Sequence, residues 1–277
     1  MSSLKEYVEK LDSSDEAERI CAAEDLGYLN VPEAVPALLE RLGEEPSLAV
    51  RDAIFQALIR IDGDAPIEGA IGLLESEDPQ IRNQAVDVLR RKGAAAIPFL
   101  KPVMREGDKD LKKLVLDVLS GIQASGAEEI YAVALADKDP NVVITAVENL
   151  GRNRAVESRS RIEDLLQTDA HPMLTAACVE ALVGIGQESS LPTIRSRFPE
   201  LAALPDFLLG PCLKAIAALG TARECAEVAS LLAVRRPHLR PAILNALTAV
   251  YQRCPSQEPG EDLLATLRTV VDDGDPP

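Results

Sequence analysis

Apolar residues along this chain return every three or four positions for roughly three helical turns, break at a turn, and start again. That pattern predicts amphipathic helices joined by short loops. Eight such stretches can be laid over one another: AERICAAEDLG, AVRDAIFQALI, QIRNQAVDVLR, DLKKLVLDVLS, NVVITAVENLG, MLTAACVEALV, GPCLKAIAALG and HLRPAILNALT. One leucine stays in register in all of them, namely Leu26, Leu58, Leu89, Leu119, Leu150, Leu182, Leu219 and Leu247, at intervals of 32, 31, 30, 31, 32, 37 and 28 residues. A second apolar-periodic stretch follows each first one, for example EAVPALLERL (33–42) and IEGAIGLLES (67–76), so the repeating unit is a helical hairpin. A single hairpin cannot bury its apolar face alone, and stacking on neighbours must stabilise it. The period therefore predicts an all-α fold, an α-solenoid of about eight hairpins, with residues 1–277 as a single elongated domain.

The punctuation agrees with the period. Asp78-Pro79 and Asp139-Pro140 read as helix starts, because Asp accepts from exposed first-turn N–H groups and Pro lacks the donor that would go unused there. Gly27, Gly93, Gly151, Gly186 and Gly220, near helix ends, are expected as C-caps with a left-handed backbone. The longest interval holds RFPELAALPDFLLGP (197–211), which reads as an irregular insertion. The run 272–277 reads as a frayed tail.

Composition narrows the functional classes. The chain has 29 Lys plus Arg against 45 Asp plus Glu, a net charge of −16, no Trp, four Phe and four Tyr. Such a chain repels phosphate backbones and anionic membranes on average, and it lacks aromatic platforms for stacking bases, so neither nucleic acid nor membrane is expected as partner. Cys21, Cys178, Cys212, Cys225 and Cys254 form no C-x-x-C pair; most are expected as reduced core thiols, with Cys254 the exposed one. No run of eighteen apolar residues occurs and the first residues do not read as a leader, so a cytoplasmic protein is expected. His171 and His238, each beside a proline at a helix start, are expected to cap or to lie on the surface. No metal-ligand cluster, phosphate loop or nucleophile elbow is present, so no catalytic residues, metal or cofactor are expected.

The segments SLAVRDAIFQAL (47–58), DPQIRNQAVDVL (78–89) and NVPEAVPALLERL (30–42) resemble the HEAT-like repeats of the phycobilin-lyase type, whose consensus runs roughly D-P-x-V-R-x-x-A-x-x-A-L-G and then A-V-P-x-L. The resemblance covers nearly the whole chain. It implies the solenoid, and it spans lyases, hydroxylases, glycosylases and adaptors, so it does not by itself assign an activity. The His-Glu pairs of the di-iron hydroxylases and the basic aromatic face of the glycosylases have no counterpart here. The consensus basic position is held by Arg19, Arg51, Arg82, Lys112 and Arg240 but becomes Val143, Thr175 and Cys212 in repeats five to seven.

The resemblance also implies that the helix carrying the leucine lines the concave surface. Two residues before the leucine stand Glu24, Gln56, Asp87, Asp117, Glu148, Glu180, Ala217 and Asn245, five of them acidic. The first six are a candidate partner-binding stripe suited to a basic helix or tail, against the alternative that exposed helix positions are simply often acidic. Phe198, Leu201, Phe207 and Leu208 are a second candidate, an apolar docking site, against the alternative that they pack inside. The expected function is a non-enzymatic protein-binding scaffold or adaptor, in a bacterial signalling or assembly complex; the alternative is a phycobilin-lyase-type chromophore chaperone or lyase subunit.

Overall fold

The computed structural model describes residues 4–122, 126–168, 171–233 and 236–253, with 261, 264, 265 and 268. These residues form two compact units, 1–137 and 138–277, and the boundary falls between the fourth and fifth repeats. Unit 1 carries α1 (Leu4–Lys10), α2 (Glu16–Leu29), α3 (Val35–Glu44), α4 (Leu48–Arg60), α5 (Ala65–Leu73), α6 (Pro79–Lys92), α7 (Ile97–Glu106), α8 (Lys109–Ser120) and α9 (Ala127–Ala134). Unit 2 carries α10 (Pro140–Arg152), α11 (Arg159–Thr168), α12 (Pro172–Ile185), α13 (Ser190–Arg197), α14 (Asp206–Leu219), α15 (Cys225–Ser230) and α16 (Arg240–Arg253). The fold is all-α, and each unit is a solenoid-type stack of helical hairpins. In unit 1 the ladder helices α2, α4, α6 and α8 pack successively in one layer, with α3, α5, α7 and α9 in the other. In unit 2 the ladder helices are α10, α12, α14 and α16, backed by α11, α13 and α15.

The helix starts are those the sequence marks. Asp78 and Asp139 accept from the amides of Gln80 and Asn141, each at 2.8 Å, with Pro79 and Pro140 in the first turn. Asp15, Ser47 and Asp108 cap α2, α4 and α8 in the same way.

Leu26, Leu58, Leu89, Leu119, Leu150, Leu182 and Leu247 are buried, and Leu219 is only half-buried. Ile216, fully buried, holds the ladder place in α14. The cap amide of Gly220 bonds to the Ile216 carbonyl as that of Gly186 bonds to Leu182, and buried Cys212 stands to Ile216 as buried Cys178 stands to Leu182. The register of the seventh repeat thus shifts by three residues, and the last two intervals become 34 and 31. What remains of the irregularity is residues 198–205 between α13 and α14, with one 3-10 turn at Leu201–Ala203. Leu209, not Cys212, takes the consensus basic position.

Gly93, Gly186 and Gly220 are the C-caps of α6, α12 and α14, as expected, whereas Gly27 and Gly151 play a different part. Of the five, only Gly93 has a positive φ; the left-handed C-cap of α2 is Asn30. Gly27 and Gly151 lie inside α2 and α10, where a Cβ would stand 2.8 Å from the Ala57 Cα and 2.7 Å from the Ala181 Cα. They are there because successive ladder helices approach too closely for a side chain.

Unit 1 is further tied by polar rungs. Arg19, Arg51 and Arg82 each donate to the carbonyl six residues upstream, on Ser13, Glu45 and Ser76, at 2.9, 2.6 and 2.6 Å. Arg19 also reaches Glu45 with two bonds of 2.9 and 3.0 Å, Arg51 reaches Asp78 at 3.0 Å, and Lys112 reaches Asp137 at 2.7 Å. Each of these carboxylates lies in the turn leading to the next repeat. Glu45, fully buried, also accepts from Arg41 and from the Ser47 amide, each at 2.8 Å. Burial would raise its pKa, but the bonds from Arg19, Ser47 and Arg41 outweigh it and hold the carboxyl at about 2. In unit 2 the same place is filled by buried Val143, Thr175 and Leu209 in the fifth to seventh repeats, and Arg240 keeps the basic residue in the eighth.

Two predictions follow from this packing. Gly27→Ala and Gly151→Ala should each destabilise by about 1–3 kcal/mol, because the added methyl meets backbone. Gly43→Ala, in α3 with nothing within 4 Å of the new methyl, should stabilise by about 0.5–1 kcal/mol; urea midpoints measure all three. Glu45→Ala strands two guanidinium groups and should cost about 3–5 kcal/mol. Because the folded pKa of Glu45 lies below its ordinary value of 4.5, its contribution is full above that pH and is lost as pH falls through about 2. Urea unfolding between pH 6 and pH 2 should show that loss in the native chain and not in Glu45→Ala.

Candidate functional site

The register that buries the ladder residue turns the position two before it outward. Glu24, Gln56, Asp87 and Asp117 are exposed on α2, α4, α6 and α8 in unit 1, and Glu148 and Glu180 are exposed on α10 and α12 in unit 2. The corrected register puts Lys214, not Ala217, in this column on α14. Lys214 forms an ion pair with Glu180. In unit 1 Asp117 lies 3.6 Å from the Arg90 guanidinium, which also donates to the Asp117 carbonyl at 2.9 Å.

Two of the acidic positions share a cavity. Glu148 and Glu180 stand over a hollow of about 520 Å³ between α10 and α12, whose floor is made by Gly151, Ala177, Ala181 and Gly184. Small residues form the floor for the same reason that Gly151 exists, since a Cβ on Gly184 would stand 3.2 Å from the Gly151 carbonyl oxygen. Arg152 closes one side and donates to Asn149 Oδ1 at 2.9 Å. Glu148 makes no ion pair among the described residues. This hollow can take a positively charged side chain against a carboxylate over nearly bare backbone.

The second candidate divides. Phe198, Leu201 and Leu208 are buried inside unit 2, because the chain between α13 and α14 folds back over the hairpin; only Phe207, 47% exposed, faces solvent. The four do not form one docking surface. Phe207 has a counterpart that the sequence reading missed: Met173, 57% exposed, occupies the equivalent position in α12, nine residues before the ladder residue in each helix. Counting back from Ile216 in place of Leu219 would have paired them.

His171 caps α12, its Nδ1 accepting from the Leu174 amide at 3.3 Å. His238 is exposed, with Nε2 2.8 Å from Asp206 Oδ2. Cys178, Cys212 and Cys225 are buried, and burial pushes the Cys212 thiol up to about 12. Cys21 is exposed, contrary to expectation, because it stands five residues before Leu26, one place off the position that buries Cys178 and Cys212 four before their ladder residues. Cys254 and the run 272–277 lie outside the described residues. Among the described residues no three His, Cys, Asp or Glu side chains converge as metal ligands, and no helix is long and apolar enough to cross a membrane.

These features define a class, a tandem helical-hairpin protein with an outward ladder-helix face. Residues 4–90 match the family model for HEAT repeats. Over 145 residues the chain is 28% identical to the bilin biosynthesis protein PecE of Mastigocladus laminosus, an alignment that takes in 52% of this chain and 49% of that protein. The chain thus spans about half the length of this curated relative. Among solved structures, the Escherichia coli protein YibA superposes over 90% of this chain and 92% of its own with a TM-score of 0.51 at 14% identity, a likeness of fold. The complex of CpcE and CpcF of phycocyanin lyase from Nostoc sp. PCC7120 aligns over 90% and 95% at 19% identity with a TM-score of 0.34. Residues 4–90 thus carry HEAT repeats, and the described helices beyond them continue as hairpins of the same kind.

Exposure and pKa together predict the thiol chemistry. Alkylation of the native protein should modify Cys21 quickly, while Cys178, Cys212 and Cys225 should react only after denaturant is added. Peptide mass spectrometry reads each site, and rapid native labelling of Cys212 would contradict the packing described for α14.

Proposed function

We propose that this chain is a protein-binding scaffold or adaptor that engages its partner through the outward face of the ladder helices. The observation that carries the reading is the hollow between α10 and α12, where Glu148 and Glu180 overlook exposed backbone on a chain of net charge −16. A carboxylate beside small residues favours close approach by a cationic segment, and the overall charge steers such a segment inward. The exposed acids of unit 1, Glu24, Asp87 and Asp117 with Gln56 among them, present the same chemistry on α2, α4, α6 and α8. A basic helix or tail of a partner protein is the matching ligand, in a bacterial signalling or assembly complex.

A second reading is a phycobilin-lyase-type subunit or chromophore chaperone. The observation that favours it is the sequence likeness to the bilin biosynthesis protein PecE. Protein association is common to both readings, and chromophore transfer belongs to the second alone. Incubation with a bilin and an apo-phycobiliprotein distinguishes them: transfer that requires this chain, seen as a new visible absorbance band on the acceptor, would replace the adaptor reading by the lyase reading.

For the adaptor reading, tagged protein carrying Asp87→Lys, Asp117→Lys and Glu148→Lys should recover much less of its partner from the native host than the unaltered chain, with helical content unchanged. Recovery from the unaltered chain should also decline as salt is raised past about 0.1 M, where the Debye length is about 10 Å. Equal recovery by the triple variant would remove the acidic face from the interface.

A further inference from the structure

The outward side of unit 2 carries two chemistries in one line. On α12, Met173 and Glu180 are seven residues apart, so they lie on one helix face about 10 Å apart along the axis. On α14 the equivalent pair is Phe207 and Lys214. Met173 and Phe207 each set an exposed apolar side chain near the N-terminal end of one of these two packed helices, and the hollow under Glu148 and Glu180 lies towards the C-terminal ends of α10 and α12. Between them on the same face of α12 stand half-buried Ala176 and buried Ala177, too small to obstruct a ligand lying along the helix.

We infer that this face seats one amphipathic segment of a partner protein, running along α12. It places a Lys or Arg in the hollow against Glu148 and an apolar side chain against Met173 and Phe207. The inference rests on the protein-binding reading and deepens it by naming the partner's chemistry and spacing. Charge complementarity chooses this occupant. Glu148 is the rim carboxylate without an ion pair among the described residues, whereas Glu180 already holds Lys214. A second copy of this chain would bring another net −16 charges to the face. Met173 and the rim carboxylates are offset by about 10 Å along the helix axis, which corresponds to positions i and i+7 of a helix lying along α12, the motif the partner should carry.

The test uses a fluorescent synthetic helix with one lysine and one leucine seven positions apart on an otherwise neutral polar scaffold, and a scrambled helix of the same composition. Fluorescence anisotropy with the full chain should show binding to the first and roughly tenfold weaker binding to the second. Glu148→Gln and the double variant Met173→Ser with Phe207→Ser should each weaken the first by about tenfold, and Glu40→Lys, exposed on α3 in the other helix layer of unit 1, should leave it within about twofold. All four positions are exposed, and circular dichroism checks that each variant keeps its helices. Equal affinity for the two helices, no binding of either, or binding insensitive to Met173 and Phe207 would overturn the inference. So would a doubled mass in light scattering that Phe207→Ser abolishes, since a second copy would then occupy the face. If recovery of the host partner depends on Glu148 but not on Met173 and Phe207, the protein-binding reading stands and this seat does not.

Discussion

The closeness with which one ladder helix approaches the next governs most of what the two units contain. A hairpin of this size has too little apolar surface to fold alone, so its leucine must be covered by the neighbouring repeat. In α2 against α4 and α10 against α12 the approach is so tight that only glycine fits opposite an alanine backbone. The contact has two products. It excludes water from Leu26 and Leu150 on the inner side, and it leaves a floor of Gly151, Ala177, Ala181 and Gly184 on the outer side. The same steric constraint therefore builds the core and shapes the hollow that is the candidate site.

The units secure the turns around that contact by different means. In unit 1 a guanidinium or ammonium group bridges from a ladder helix to the turn of the following repeat, and Glu45 is the most completely satisfied of these acceptors. A buried carboxylate with two arginines and an amide is held firmly in geometry, but it adds less net stability than its bond count implies, because desolvating the charges offsets the attraction. In the fifth to seventh repeats Val143, Thr175 and Leu209 fill the same place without an ionisable group, Thr175 donating to the His171 carbonyl at 2.9 Å, and the basic residue returns as Arg240 in the eighth. The change in chemistry coincides with the boundary at Asp137 and Lys138.

The architecture was legible in the sequence because periodicity reports burial directly: seven of the eight chosen leucines are buried, and the Asp-Pro starts cap as their chemistry dictates. The seventh repeat misled for a definite reason. Ile216 and Leu219 are three residues apart on one helix face, and AALG imitates the end of the consensus more closely than the residues around Ile216 do. Spacing within one helix cannot separate two such choices; the bond from Gly220 to Ile216 and the burial of Cys212 do. Gly27 and Gly151 misled similarly, since a glycine near a helix end serves either a cap or a close approach, and only the facing backbone of Ala57 or Ala181 distinguishes the two. Phe198, Leu201 and Leu208 were ambiguous because apolar residues among prolines read alike whether they face in or out.

That error of register had a functional consequence. With Leu219 as the ladder residue, the outward column on α14 reads as alanine and Phe207 stands alone within an irregular stretch. With Ile216, the column reads Glu148, Glu180, Lys214, and Phe207 takes the place equivalent to Met173. A uniform acidic stripe would recognise nothing more particular than positive charge, and long-range attraction of that kind is weak and easily screened. A face that alternates carboxylate, ion pair, bare backbone and apolar edge can demand spacing as well as charge. Selectivity then comes from the apolar groups and the shape of the hollow, while the acids govern the rate of encounter. On this argument the acidic composition of the chain and its repeat geometry have separate roles, and unit 2 is where the two meet.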